Sequence, residues 1–229
     1  MINGWYPLIE SIDDGAESGS KLVVIDDGSK DDTFKIMQKY AETHPDFVPI
    51  TRPNAGHGAT VLYGYNYAVK EKADYVFQTD SDGQTLPNEF KEFWKLRKDY
   101  DMVIGCRNAR QDGKSRVFVS QILKLVIRIC FGVTIIDANT PFRLMQVGTL
   151  KKYIGLIPQG FNLSNVILSV IYAKMECRVK FIPITFRPRQ GGVNSIDMKK
   201  IFKIGRKAMK DFRAINHALK METSEKNQI

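Results

Sequence analysis

Two carboxylates spaced two residues apart, directly after a short apolar run, can converge on one hard cation. Thr79-Asp80-Ser81-Asp82-Gly83-Gln84 has that arrangement. Mn2+ or Mg2+ takes oxygen ligands and leaves part of its shell to substrate phosphates. An ion held this way neutralises the charge on a departing diphosphate. A second acidic cluster, Asp26-Asp27-Gly28-Ser29, also follows an apolar run. Carboxylates there can accept hydrogen bonds from a base or a ribose. Reading the segment as a turn with an N-cap explains Ser29 and Asp31 but not two adjacent acids. A third stretch, Asn54-Ala55-Gly56-His57-Gly58, is glycine-rich. Glycines let backbone approach a ligand closely, and a helix N-terminus favours phosphate; His57 is equally compatible with a plain surface position.

These clusters need elements to place them. Residues 21–26, 47–51, 74–79 and 101–105 read as short buried strands, with helices over 30–40, 56–70 and 87–98 between them. Asp31 and Asp32 suit the start of the first of these helices and Pro87 the first turn of the last. Strand and helix in alternation predict an α/β, Rossmann-like, mostly parallel sheet flanked by helices. In such sheets ligands bind beyond the carboxyl ends of the strands, where all three clusters fall. After Arg107 the rhythm changes. Residues 117–133 read as an amphipathic helix, 161–173 as a helix, 178–186 as a late strand and 195–220 as a basic helix. Residues 1–18 read as helix and loop, with Trp5, Leu8, Ile9 and Ile12 at helical spacing, where a doubly wound fold usually opens with a strand. The expectation is therefore a sheet whose first strand is missing, from a truncated start. No repeat, linker or low-complexity segment breaks the chain. It reads as one domain over 1–229, with a donor-binding half over about 1–107, an acceptor or membrane-facing half over about 108–220 and a frayed tail over 221–229.

The bulk numbers suit a globular chain of 229 residues, 43% hydrophobic and 26% charged. No apolar run reaches the roughly 18–20 residues of a spanning helix, and the N-terminus lacks the pattern of a signal peptide. Cys106, Cys130 and Cys177 form neither a CxxC pair nor a disulfide framework, which suits a reducing, cytoplasmic setting. The net charge of +9 is concentrated late: from Phe181 onward 11 Lys or Arg face 4 Asp or Glu. A basic tail suits anionic lipid or a phosphate-bearing substrate as well as nucleic acid. No aromatic platform or nucleic-acid motif accompanies it, so nucleic acid is not an expected partner.

Three segments, VVIDDGSKDDT (23–33), NAGHGATVLYGYNYA (54–68) and QTDSDGQ (78–84), resemble in order and spacing the family 2 glycosyltransferases of GT-A fold, and the resemblance covers essentially the whole chain. It looks closest to the branch of dolichol- and polyprenyl-phosphate hexose synthases. Asp80, Asp82 and Gln84 match that branch's DxDxQ metal triad, and Arg107 matches its donor or phosphate arginine. DANTPFRLM (137–145), carrying Asp137 and Arg143, resembles its acceptor-side segment. FRPRQGGVNS (186–195) resembles its late segment, which puts Arg187 and Arg189 near phosphate; guanidinium donors match phosphate oxygens.

The resemblance implies a metal-dependent inverting transfer of a hexose from a UDP- or GDP-hexose to a polyprenyl or dolichyl phosphate. Asp27 would hold the base or ribose with Asp26 supporting it, and Gly56 would line the donor site. Asp80, Asp82 and Gln84 would hold Mn2+ or Mg2+ with the diphosphate, and Asp82 and Asp137 are the candidate catalytic residues. A hydroxyl acceptor on a growing glycan would need a general base, for which Asp137 is the candidate. A phosphate acceptor is already ionised and would leave Asp137 structural. Residues 117–133 would lie on the inner face of the membrane, or pack as an ordinary core helix. The sequence departs from the family in lacking its opening P-x-Y-N-E strand and any C-terminal membrane helices, and in placing Pro141 where some members carry an acid. The first departure keeps open an inactive chain that only binds nucleotide sugar.

Overall fold

A computed structural model describes residues 2–12, 19–107, 114–158, 160–188, 211–217 and 219. The short apolar runs form strands as their spacing predicts: β1 (Leu22–Asp26), β2 (Phe47–Thr51), β3 (Tyr75–Thr79) and β4 (Met102–Arg107). Between them lie α2 (Thr33–Ala41), α3 (His57–Lys70) and, after a 3-10 turn at Pro87–Glu89, the short α4 (Phe90–Lys95). The last is half the predicted length. The predicted late strand is β6 (Val179–Ile184).

Between β4 and β6 the chain forms α5 (Lys114–Phe131), β5 (Phe142–Gln146), α6 (Val147–Tyr153) and α7 (Ser164–Lys174). The sequence pattern announces neither β5 nor α6. Phe142-Arg143-Leu144-Met145 looks like a broken apolar run because of its arginine, yet it forms an interior strand of the main sheet. That sheet has the order β3-β5-β4-β6. β5 runs antiparallel to both neighbours while β4 and β6 are parallel, so β3, β4 and β6 share one direction. The architecture is the expected α/β one, a mostly parallel sheet flanked by helices, with one reversed strand inside it.

Alternate residues of the sheet feed two cores, as a period of two requires. Met102, Ile104 and Met145 face α3, α5 and α7, together with Phe212, Ile215 and Leu219 from the helical residues 211–217 and from position 219. Val103, Leu144, Phe142 and Ile184 face Phe90, Phe93 and Trp5. Every residue of α7 from Ser164 to Tyr172 is buried, so the helix runs through the centre of this core. Part of the predicted basic C-terminal helix is thus core. The rest of 195–220, apart from residues 211–217 and 219, lies outside the described residues, as does the tail 221–229.

β1 and β2 pair in parallel as a separate two-stranded sheet. Among the described residues no strand joins β1 to β3. The first element is a helix, α1 (Ile2–Ile12), as the spacing of Trp5, Leu8, Ile9 and Ile12 predicts. It touches both layers. Trp5 packs on Phe77 and Phe142, with centroids 5.6 and 6.1 Å away, while Tyr6 meets Tyr40 and His44 at 5.9 and 4.7 Å.

Candidate functional site

The loop after β1 and the glycine-rich turn before α3 are bound to one another. The Asp27 carboxylate accepts the Ala55 amide at 3.0 Å through one oxygen and the Gly56 amide at 2.9 Å through the other. The Asn54 side-chain amide returns a bond to the Asp27 carbonyl at 2.8 Å. Gly28 makes the approach possible: it sits at φ +75°, and a β-carbon there would stand 2.7 Å from the Asn54 nitrogen. Asp26, the buried neighbour, accepts the Ser29 amide at 3.1 Å and the Thr51 hydroxyl at 2.8 Å, which ties the loop to β2. Its support of Asp27 is through the backbone it fixes.

Hydrogen bonds set the ionisation of both. Asp26 is held below the usual aspartate range chiefly by the Ser29 side chain, against the opposing effect of burial. For Asp27 burial pushes upward, and the Thr60 hydroxyl, the Ala55 and Gly56 amides and the nearby Arg52 charge together outweigh it, so its pKa is also lowered. Both stay ionised when offered base, ribose or cation.

A cavity of about 510 Å³ opens beside these loops, lined by Asp26, Asp27, Ser29, Thr33, His57, Thr60 and Ser81 on its polar part and by Ile2, Val24, Ile25, Ile36 and Met37 elsewhere. Ser81 belongs to the Asp80–Gln84 loop at the carboxyl end of β3, so all three sequence clusters meet at one hollow. The His57 ring nitrogen Nε2 lies 3.9 Å from an Asp80 carboxylate oxygen. Asp82 accepts the Gln84 amide at 3.1 Å, which turns the loop back on itself.

Among the described residues no three His, Cys, Asp or Glu side chains gather closely enough to cage a metal. The chemistry of the donor set nonetheless fits a hard divalent ion as a half-shell. Such ions are commonly held by one or two carboxylates and completed by substrate phosphates and water, and Asp80 and Asp82 supply two. Gln84 has a further task. It is buried, its side-chain amide donates to the Arg187 carbonyl at 2.9 Å, and its own carbonyl accepts the Arg187 amide at 2.8 Å. It therefore staples the segment after β6 to the acidic loop, and the Arg187 side chain stays exposed beside the site. Arg189 lies outside the described residues.

The second half of the site differs from expectation. Arg107 does not present a free guanidinium to a phosphate: its Nε and one terminal nitrogen each donate to Asp137 at 2.8 Å, and its backbone amide adds a third bond at 3.3 Å. The pair is nearly enclosed, with side-chain exposures of 9% and 12%, and the guanidinium lies over the Phe186 ring at 5.0 Å. Asp137 correspondingly has both oxygens engaged by Arg107. Arg143 is a plain correction. Expected at the acceptor surface, it is 0% exposed. Its donors go to the Ala138, Thr140 and Asn165 carbonyls and the Ser169 hydroxyl. Burial pulls its pKa down, while Tyr65 and Asp137 oppose that shift. The signal was available in the sequence, since Arg143 stands between Phe142 and Leu144 in an otherwise apolar run.

Residues 6–153 match the model of the family described as Glycosyl transferase family 2. Over 126 residues the chain is 32% identical to an undecaprenyl-phosphate 4-deoxy-4-formamido-L-arabinose transferase of Pseudomonas savastanoi, covering 54% of this chain and 36% of that protein. Over 145 residues it is 31% identical to a dolichyl-phosphate beta-glucosyltransferase of Trichomonas vaginalis, covering 57% and 43%. The chain thus spans less than half the length of these curated relatives. Its fold is similar to that of glucosyl-3-phosphoglycerate synthase from Mycobacterium tuberculosis, solved with Mn2+, uridine diphosphate and glucosyl-3-phosphoglycerate. The TM-score is 0.58 at 14% identity, over 94% of this chain and 76% of that one.

Proposed function

The chain belongs to glycosyl transferase family 2 and has its GT-A fold, and from that premise we propose that it transfers a hexose from a nucleotide-sugar donor to a polyprenyl or dolichyl phosphate. The observation that carries the reading is the meeting of the Asp26–Asp27 loop, the Gly56 turn and the Asp80–Gln84 loop at one cavity of about 510 Å³. A nucleoside fits against Asp27, and its diphosphate runs toward the start of α3, where amides and the helix dipole favour anions.

Asp80 and Asp82 would hold Mn2+ or Mg2+, which when bound neutralises charge on the leaving diphosphate. The two carboxylates orient the donor, and Ile2 of α1 with Ile36 and Met37 of α2 gives the cavity an apolar wall. Arg187, pinned through Gln84, is the exposed cation best placed to meet an incoming anionic acceptor, with Arg189 two residues on.

A phosphate acceptor is favoured over a sugar hydroxyl by the state of Asp137. A hydroxyl needs a base, and the residue in position to be one is bidentately bound by Arg107. A lipid carrier is supported by α5. Its sequence holds Lys and Arg but no Asp or Glu, and Ile122, Leu125 and Ile129 are exposed on one side of it, followed by Ile136. Apolar residues on one stripe with basic neighbours suit a helix lying in an anionic bilayer surface. Among the described residues no helix is long and apolar enough to cross a membrane.

Thermal-shift titration with UDP-, GDP- and dTDP-hexoses, with and without Mn2+, tests the donor site. A ligand at about 100 times its Kd adds about 2.7 kcal/mol of stability. Metal-dependent stabilisation by one donor is the expected result. A folded protein that no donor shifts refutes the transferase reading and leaves a chain that keeps the fold without the activity.

A further inference from the structure

Helix α7 is buried throughout Ser164–Tyr172, yet three of those residues, Ser164, Asn165 and Ser169, are polar. Each is used. At the first turn the Ser164 hydroxyl lies within bonding distance of the Gly58 carbonyl, at 2.9 Å, and the Phe161 carbonyl, at 2.8 Å. Gly58 is in the first turn of α3, and the fit there is close: a β-carbon at 58 would stand 2.3 Å from the Phe161 carbonyl oxygen. Five residues along α7, Ser169 reaches the Ala138 carbonyl at 3.1 Å and the Asn165 carbonyl at 2.9 Å.

Arg143 completes the seam from the sheet side. One terminal nitrogen donates to the Asn165 carbonyl at 3.0 Å and the Ser169 hydroxyl at 3.3 Å. The other donates to the Ala138 and Thr140 carbonyls at 3.2 and 2.8 Å, and Nε to Thr140 at 3.2 Å. In each of these bonds the acceptor is neutral. A buried cation so placed is costly to desolvate, and apolar residues of similar volume often replace buried ions without loss of stability. What the guanidinium supplies is direction, because its planar fork fixes two carbonyls of one loop against one helix.

We propose that Arg143 is a positioning residue which, through α7, sets the spacing between the Gly56–Gly58 turn on the donor side and the Asp137–Thr140 loop on the acceptor side. The proposal rests on the transferase reading above. Both segments are tied to one rod, five residues apart, so a donor against the first and an acceptor near the second are held in a fixed relation. Misplacement by about 1 Å can cost about 100-fold in rate.

The test is Arg143→Lys in the whole chain. Lysine retains the charge but has no fork to span the Ala138 and Thr140 carbonyls. Calorimetry with the donor and Mn2+ counts the binding-competent molecules, and transfer to a short-chain prenyl phosphate is expressed per competent molecule. The expected result is a donor Kd changed by less than about twofold with a per-site kcat lowered about 100-fold, the scale of a 1 Å misplacement, and a raised KM for the acceptor. Ser169→Ala, which removes one neutral link, should show the same split more weakly and serves if Arg143→Lys does not fold. Unchanged per-site kcat and KM, with only a lower melting temperature or fewer competent molecules, would overturn the proposal and leave Arg143 as part of the core. Absence of donor binding by the wild-type chain overturns the transferase reading, and the proposal with it.

Discussion

Aspartates flank both sides of this site, and the protein holds them differently. On the proposed donor side Asp26 and Asp27 are met by amides and hydroxyls, from Ser29, Thr51, Ala55 and Gly56. On the proposed acceptor side Asp137 is met by a guanidinium, in an ion pair nearly closed to solvent. Neutral dipoles fix a carboxylate while leaving its negative charge in the field of the cavity, where a cation or a ribose can use it. An ion pair fixes a carboxylate by cancelling it. The first arrangement suits a residue that binds something from outside; the second suits one that holds a frame.

The comparison breaks most sharply if Asp82 is removed. Asp82→Ala should lower transfer by about 10²–10³-fold or more, the scale seen when one preorganised electrostatic group is lost, with little change in melting temperature. Wild-type activity in this variant would sink the assignment of the Asp80–Gln84 loop. Asp137→Ala should do the reverse. Leaving the Arg107 charge buried and unpaired costs about 3–5 kcal/mol, read as a lowered urea midpoint. If Asp137→Ala instead keeps its stability and loses transfer, Asp137 is a base and the hydroxyl acceptor returns.

The smallest expected effect concerns pH. The pKa values of Asp26 and Asp27 are depressed in the folded chain, so the unfolded chain binds protons more readily. Their contribution to stability is complete above the ordinary aspartate value of about 3.9 and is lost as pH falls through the lower native values. Melting curves of wild type and Asp26→Asn should therefore differ at pH 7 and converge toward pH 3. A gap that stays constant across that range would show that Asp26 acts through shape rather than charge.

The donor side was the legible side. Its three clusters are contiguous in sequence, each follows a strand whose β-branched and apolar residues announce it, and its hydrogen bonds are mostly loop to adjoining loop. On the proposed acceptor side the pairing of Arg107 with Asp137 spans 30 residues, little more than the 28 and 29 from Asp27 to Ala55 and Gly56, but neither partner stands in an acidic or glycine-rich cluster, and Arg143 reaches α7 from an interior strand. Nothing local records such contacts. A lone arginine in FRLM is compatible with a phosphate ligand and with a buried hub, and only the register of β5 between β3 and β4 decides. The further task of Gln84 is hidden for the same reason, since its partner lies 103 residues away.

The separation of β1 and β2 from the four-stranded sheet also governs how the molecule comes apart. Backbone hydrogen bonding makes a sheet open as one cooperative body, and here, among the described residues, that continuity stops between β1 and β3. The donor-side layer is joined to the rest through side chains, with Trp5 and Tyr6 of α1 reaching to opposite layers. Low-stability, separately opening units are where ligand-binding segments are commonly found. A nucleotide bridging Asp27 and Asp82 would then serve as mortar as well as substrate, raising the opening free energy of the thinner layer toward that of the thicker one.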